Sequence, residues 1–144
     1  MSKNSQIYFA RELLCNTLEG RRVDLLTITS YKDLLFEREP ELVNEPTLFP
    51  HLKIIGQPRP YKARKPVILI SARVHPGEVP SSHILKGLLD FLQPQEAKGK
   101  MNSRDEGNID PRAMAFLNNF VLKIVPMLNP DGVARGHYRF DTLG

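Results

Sequence analysis

His75 and Glu78 are the residues whose types and spacing suggest chemistry first. They flank Pro76-Gly77 and come directly after the apolar run Val67-Ile68-Leu69-Ile70-Ser71-Ala72 without a pause. Pro-Gly is the pair a type II β-turn prefers at its centre, and such a turn brings its outer Cα atoms within about 7 Å. An imidazole nitrogen and a carboxylate oxygen would then converge at a strand's end. Catalytic zinc takes three protein ligands of these kinds and keeps a fourth position open for water. His-x-x-Glu alone is weak, because solvated turn residues produce the same pattern. A second stretch strengthens it: Leu128-Asn129-Pro130-Asp131-Gly132-Val133 comes after the apolar run Phe120 to Val125 and leads into Gly136-His137-Tyr138-Arg139. Two functional loops at strand ends are expected, where open α/β sheets bind their ligands.

The elements that must position these residues can be read in order. Residues 5 to 18 are predicted as a helix with Ile7, Leu14 and Leu18 on one face, ended by Gly20. Val23 to Thr29 read as a strand, being leucines and β-branched residues nearly throughout. Residues 31 to 65 carry Pro40, Pro46, Pro50, Pro58 and Pro60, which predicts an irregular connection with at most a short strand at Leu52 to Ile55. Val67 to Ala72 read as a central strand buried on both faces. Ser81 and Ser82 are candidate N-caps for a helix reaching Leu92 and closed by Pro94. Its stripe is Ile84, Leu88 and Leu92, with Leu85 and Leu89 beside it and His83 and Lys86 turned away. Gln93 to Asp110 is polar and charged and reads as a mobile surface insert. Ala113 to Leu117 form a short helix opened by Pro111, and Phe120 to Val125 form a strand. Pro126 and Pro130 confine the backbone after that strand to loop. The sum is an α/β layered domain whose strand order the sequence leaves open.

Composition narrows the function classes. The 144 residues suit one domain, and 41% apolar with 25% charged residues is ordinary globular composition. A net charge of +4 is compatible with an acidic partner and falls short of the concentrated basic face that nucleic acid requires. One cysteine, Cys15, precludes an internal disulfide and reads as a small buried apolar residue. No apolar signal region or run of 18 apolar residues is present, so a cytosolic protein without membrane contact is expected. A phosphate-binding Gly-x-x-x-x-Gly-Lys-Ser/Thr loop is also missing.

Taken together, Ser71-Ala72-Arg73-Val74-His75-Pro76-Gly77-Glu78-Val79-Pro80-Ser81-Ser82, Pro126-Met127-Leu128-Asn129-Pro130-Asp131-Gly132-Val133 and Gly136-His137-Tyr138-Arg139 resemble the zinc metallocarboxypeptidases. Within them the likeness is to the cytosolic carboxypeptidases that trim glutamate from tubulin, and Arg11 to Cys15 with Arg22 to Ser30 share it. The resemblance implies a mixed-sheet carboxypeptidase-type domain with helices packed on the sheet, binding one zinc ion per complete site. It places His75 and Glu78 at the first two zinc ligands. Arg139 falls where an arginine binds substrate, polarises the scissile carbonyl and stabilises the oxyanion. Asn129, Asp131 and Gly132 fall in a supporting loop of the active-site floor. The reaction implied is metal-assisted hydrolysis, with water activated on zinc, a glutamate accepting its proton and arginines stabilising the oxyanion.

The implied substrates are C-terminal or branch-point glutamates of polyglutamylated tubulin, or other acidic protein C-termini, in the cytosol and with microtubules as a candidate location. The family's third zinc ligand and general-base glutamate lie downstream of the matched segments, so residues 1 to 144 are expected to be a partial catalytic domain, inactive alone. The rival expectation is a non-catalytic fragment or binding module for acidic tails. His137 lies near the expected site without being chosen as the third ligand, and His83 and His51 are expected in solvent. Arg73 and Arg135 could attract acidic substrates by proximity, Arg73 being the more structural of the two.

Overall fold

A computed structural model of the chain describes residues 6–42, 44–45, 47–50, 58–94 and 108–143. The first element is not the expected helix. Strand β1 (Ile7–Asn16) forms an antiparallel hairpin with strand β2 (Arg22–Ser30), in a register pairing Tyr8 with Thr29 and Glu12 with Leu25. Two features disguise its two-residue period. A bulge between Leu13 and Cys15 shifts the register, and one inward position holds Glu12, buried and ion-paired with Arg59 at 2.7 Å. Gly20 sits in the hairpin turn at φ 78, the left-handed region glycine enters without steric cost, and so closes a hairpin rather than a helix.

Residues 31 to 65 hold more order than their prolines suggest. Strands β3 (Leu34–Arg38) and β4 (Tyr61–Ala63) pair antiparallel as a separate two-stranded sheet. The strand expected at Leu52 to Ile55 lies outside the described residues, as does most of the polar stretch from Gln93 to Asp110.

Strand β5 (Val67–Ser71) and strand β6 (Val121–Val125) complete the main sheet, in the order β1-β2-β6-β5. β6 runs antiparallel to β2 (Leu26 opposite Ile124) and parallel to β5 (Ile70 opposite Ile124), so the sheet is mixed. All five residues of β6 are buried. β5 is an edge strand of this sheet and is not buried on both faces: Val67 and Leu69 are 60% and 70% exposed. Its other side, Ile68 and Ile70, packs against the core.

Two helices cover that core face. Helix α1 (Val79–Leu92) starts earlier than Ser81, with Glu78 as its cap residue and Pro80 in its first turn. Its apolar stripe is Leu85, Leu88, Leu89 and Leu92, the helical i, i+3, i+4, i+7 set. Ile84 falls outside the stripe and is 75% exposed. Helix α2 (Pro111–Asn119) matches the expected short helix. Pro111 opens it, and the Asp110 carboxylate caps it by accepting from the Arg112 amide at 2.8 Å. Leu117 of α2 meets Leu122 and Ile124 of β6 in the core, all three with no exposure. Lys65 locks the C-terminal end of α2 to β2. Its Nζ donates to Leu117 O and Thr29 Oγ1, both at 3.0 Å, and to Ser30 Oγ at 3.0 Å.

Helix α3 (Pro130–Arg135) was not expected, since Pro130 read as loop. The signal was present: Asn129 is a strong cap residue, Pro130 takes the first helical position, and Gly136 at φ 72 closes the end. Among the described residues no helix is long and apolar enough to cross a membrane.

Candidate metal half-site

Strands β5 and β6 stay together beyond their ends. Ala72 donates to Val125 O at 3.1 Å, Leu128 donates to Ala72 O at 2.9 Å, and Asn129 donates to Arg73 O at 3.1 Å. The residues that leave β5 and those that leave β6 therefore emerge side by side. The chain turns sharply at Arg73, whose φ is 56, and enters the His75–Glu78 turn.

That turn closes with a hydrogen bond from the Glu78 amide to His75 O at 3.2 Å. It is not a type II turn, because that type needs a positive φ at its third residue and Gly77 has none. Glycine is needed there for space instead. The Gly77 amide donates to Tyr138 O at 2.7 Å, and a Cβ on Gly77 would lie 2.5 Å from Tyr138 Cδ2. Gly132 repeats the device on the other side: its Cβ would strike Pro76 and lie 2.7 Å from Phe140 O. The His75–Glu78 turn, the first turn of α3 and residues 137 to 140 are thus packed backbone to backbone.

Within this frame the two candidate ligands meet. His75 Nδ1 lies 2.6 Å from Glu78 Oε1, and the His75 amide donates to Glu78 Oε2 at 3.4 Å. Both side chains are partly exposed. The bond to the His75 ring is the main cause holding the Glu78 carboxyl below its ordinary range. Slight burial opposes it, while the His75 amide and the charges of His75 and Arg139 add to it. Glu78 is therefore a carboxylate at neutral pH. Arg139 is exposed, on the segment that packs over Gly77.

Held 2.6 Å apart by their hydrogen bond, the two atoms need part only slightly to share one ion at the Zn–N and Zn–O distances of about 2 Å, and zinc accepts both donor types. Among the described residues no third His, Cys, Asp or Glu joins them. The donors present fit two corners of a zinc site. His83 is exposed on α1, His137 Nδ1 faces Asp141 O at 3.1 Å, and His51 lies outside the described residues.

The supporting loop divides into distinct jobs. Asn129 Oδ1 caps α3 by accepting from the Gly132 amide at 2.9 Å, and its Nδ2 donates to Phe140 O at 3.4 Å. Asp131 is bonded into the hairpin turn after β1. Only 3% exposed, it accepts from Thr17 Oγ1 at 2.7 Å, Arg21 Nη1 at 2.9 Å, the Glu19 amide at 3.2 Å and Thr142 Oγ1 at 3.3 Å. Burial by itself would raise its pKa. Arg21 and the other donors overcome this and hold it below the ordinary value. Arg135 is ion-paired with Glu19 on the same turn. Asp131 and Arg135 thus fasten α3 to the hairpin, roles their loop-like sequence context did not reveal.

A family model described as zinc carboxypeptidase matches residues 6–142. The chain belongs to that family. It is 49% identical to cytosolic carboxypeptidase-like protein 5 of Mus musculus over 139 residues, which is 96% of this chain and 14% of the mouse protein. It is 36% identical to cytosolic carboxypeptidase 6 of Mus musculus over 144 residues, 100% of this chain and 19% of that protein. Among solved structures, the metallo-carboxypeptidase from Burkholderia cenocepacia superposes with a TM-score of 0.56 at 26% identity, covering 96% of this chain and 26% of that one. The chain therefore spans about a seventh of the mouse protein 5 relative.

Proposed function

We propose that residues 1 to 144 form a partial metallocarboxypeptidase catalytic domain and supply two zinc ligands, His75 and Glu78, and the substrate arginine, Arg139, of a carboxypeptidase acting on glutamate-rich protein tails. The observation that carries the reading is the 2.6 Å convergence of His75 Nδ1 and Glu78 Oε1 on the turn after β5, in a chain matched to the zinc carboxypeptidases almost throughout. When bound, zinc supplies Lewis-acid activation of water near neutral pH. Glu78, already ionised, offers a charged oxygen and lowers the net charge of the site. His75 offers the nitrogen that now faces that carboxylate. Arg139, whose charge acts on Glu78, would offer a planar cation suited to a substrate carbonyl whose oxygen gains negative charge.

The substrate is the terminal or branch-point glutamate of polyglutamylated tubulin or another acidic protein C-terminus, met in the cytosol or on microtubules. The chain's net charge of +4 favours such tails modestly. The test is binding of polyglutamylated tubulin-tail peptides by the full chain with and without zinc, alongside Glu78→Ala and Arg139→Ala. Zinc-dependent binding weakened in both variants supports the reading. Zinc-independent binding that both variants keep assigns the chain to the non-catalytic alternative. No binding at all contradicts both.

A further inference from the structure

Arg73 lies two residues before His75 with φ 56, a left-handed backbone that a long L side chain adopts only when its surroundings impose it. The surroundings here are specific. Its amide donates to Ser81 Oγ at 3.1 Å, and that hydroxyl donates in turn to Glu78 O at 2.6 Å. One serine of α1 therefore ties Arg73, two residues before the turn, to Glu78, the residue that ends it. The Arg73 side chain bridges the same span higher up. Nε donates to Pro76 O at 2.9 Å, inside the turn, and Nη1 donates to Ser82 Oγ at 3.2 Å, on the helix beyond it.

Two guanidinium N–H groups thus donate to neutral oxygens, and among the described residues the side chain has no carboxylate partner. A cation meant to attract acidic substrate would leave its fork open to solvent. This one is half-buried and folded back over the turn that carries His75 and Glu78. We propose that Arg73 is a positioning residue for this half-site: its side chain, with Ser81 and Ser82, pins the backbone of the His75–Glu78 turn so that both donors face one point before metal arrives. The inference rests on reading His75 and Glu78 as zinc ligands. Groups that orient metal ligands in this indirect way typically change metal affinity by about 10–100-fold.

Arg73→Gly separates the side chain from the backbone, since glycine accepts the left-handed φ while losing the clamp. Arg73→Lys keeps the charge without the fork. Two readouts on the full chain decide the matter. In metal-free protein, hydrogen exchange of the Gly77 and Glu78 amides is compared with that of Ile124 in buried β6. Zinc affinity is then measured on the same variants. The expected result for Arg73→Gly is exchange at least about tenfold faster at Gly77 and Glu78 with Ile124 unchanged, together with zinc affinity weaker by about 10–100-fold. Arg73→Lys should fall between it and the unsubstituted chain.

Unchanged exchange at Gly77 and Glu78 overturns the proposal. So does equal acceleration at Ile124, which marks general destabilisation, and so does faster local exchange with unaltered zinc affinity. An unsubstituted chain that takes up no zinc defeats the ligand reading instead. The exchange comparison then still decides whether Arg73 pins the turn.

Discussion

Gly77 and Tyr138 are in backbone contact: the glycine amide donates to the tyrosine carbonyl at 2.7 Å, with no room for a Cβ beside the ring. The contact joins the turn that carries His75 and Glu78 to the segment that carries Arg139. Gly77→Ala would place its methyl 2.5 Å from Tyr138 Cδ2 and 2.8 Å from Tyr138 O, and the ring can move aside more easily than the backbone. Overpacking of this kind costs about 1–3 kcal/mol. The expected outcome is a lower unfolding midpoint with amide shift changes concentrated at 75–78 and 137–140. Full stability in Gly77→Ala would mean the two segments are not locked.

The core face sets a contrast between two aliphatic residues in helices. Leu117 has no exposure against Leu122 and Ile124, so Leu117→Ala should cost about 2–5 kcal/mol in chemical denaturation. Ile84 is 75% exposed, and Ile84→Ala should stay within about 0.5 kcal/mol. Equal costs at the two positions would put Ile84 back on the buried stripe of α1.

The cap of α2 is one expected source of acid sensitivity. The side chain of Arg112, followed by its amide, holds Asp110 down to about 2 from an ordinary 3.8. A carboxyl depressed on folding contributes stability that is complete above its unfolded value and fades as pH falls through its folded value. This contribution should therefore be full above about pH 4 and be lost toward pH 2. Asp110→Asn retains a capping oxygen but removes the titration. Its unfolding midpoint should fall less steeply than that of the unsubstituted chain between those values, and an identical slope would show that Asp110 is not responsible.

How legible this was in the sequence depended on whether an element's pattern was local. Strands β2, β5 and β6 announced themselves by runs of β-branched residues and leucines, and α2 by Pro111. β1 did not, because its period of two was broken by a bulge and by Glu12, whose burial depends on Arg59 from a distant loop. Ile84 and the open side of β5 were misjudged for a related reason. Periodicity shows that a face is apolar, and only the tertiary arrangement shows whether anything covers it.

At the site, the spacing of His75 and Glu78 anticipated that they would meet, although the turn between them is of another type. Arg139 was placed by family resemblance alone. The left-handed backbone of Arg73 had no sequence signal, since its partners Ser81, Ser82 and Pro76 become neighbours only when α1 folds back. Asp131 read as part of an active-site floor, and its buried bonds to Thr17 and Arg21 arise from a hairpin more than a hundred residues earlier in the chain.

The central claim is that His75 and Glu78 act as a pair of zinc ligands. Its most direct test is zinc affinity of the purified 144-residue chain measured by competition with a chelating dye, beside His75→Ala and Glu78→Ala. One zinc per chain, bound at micromolar strength or better and lost in both variants without loss of fold, is the predicted result. Zinc uptake that either variant retains in full, or no uptake above background by the unsubstituted chain, would contradict the claim.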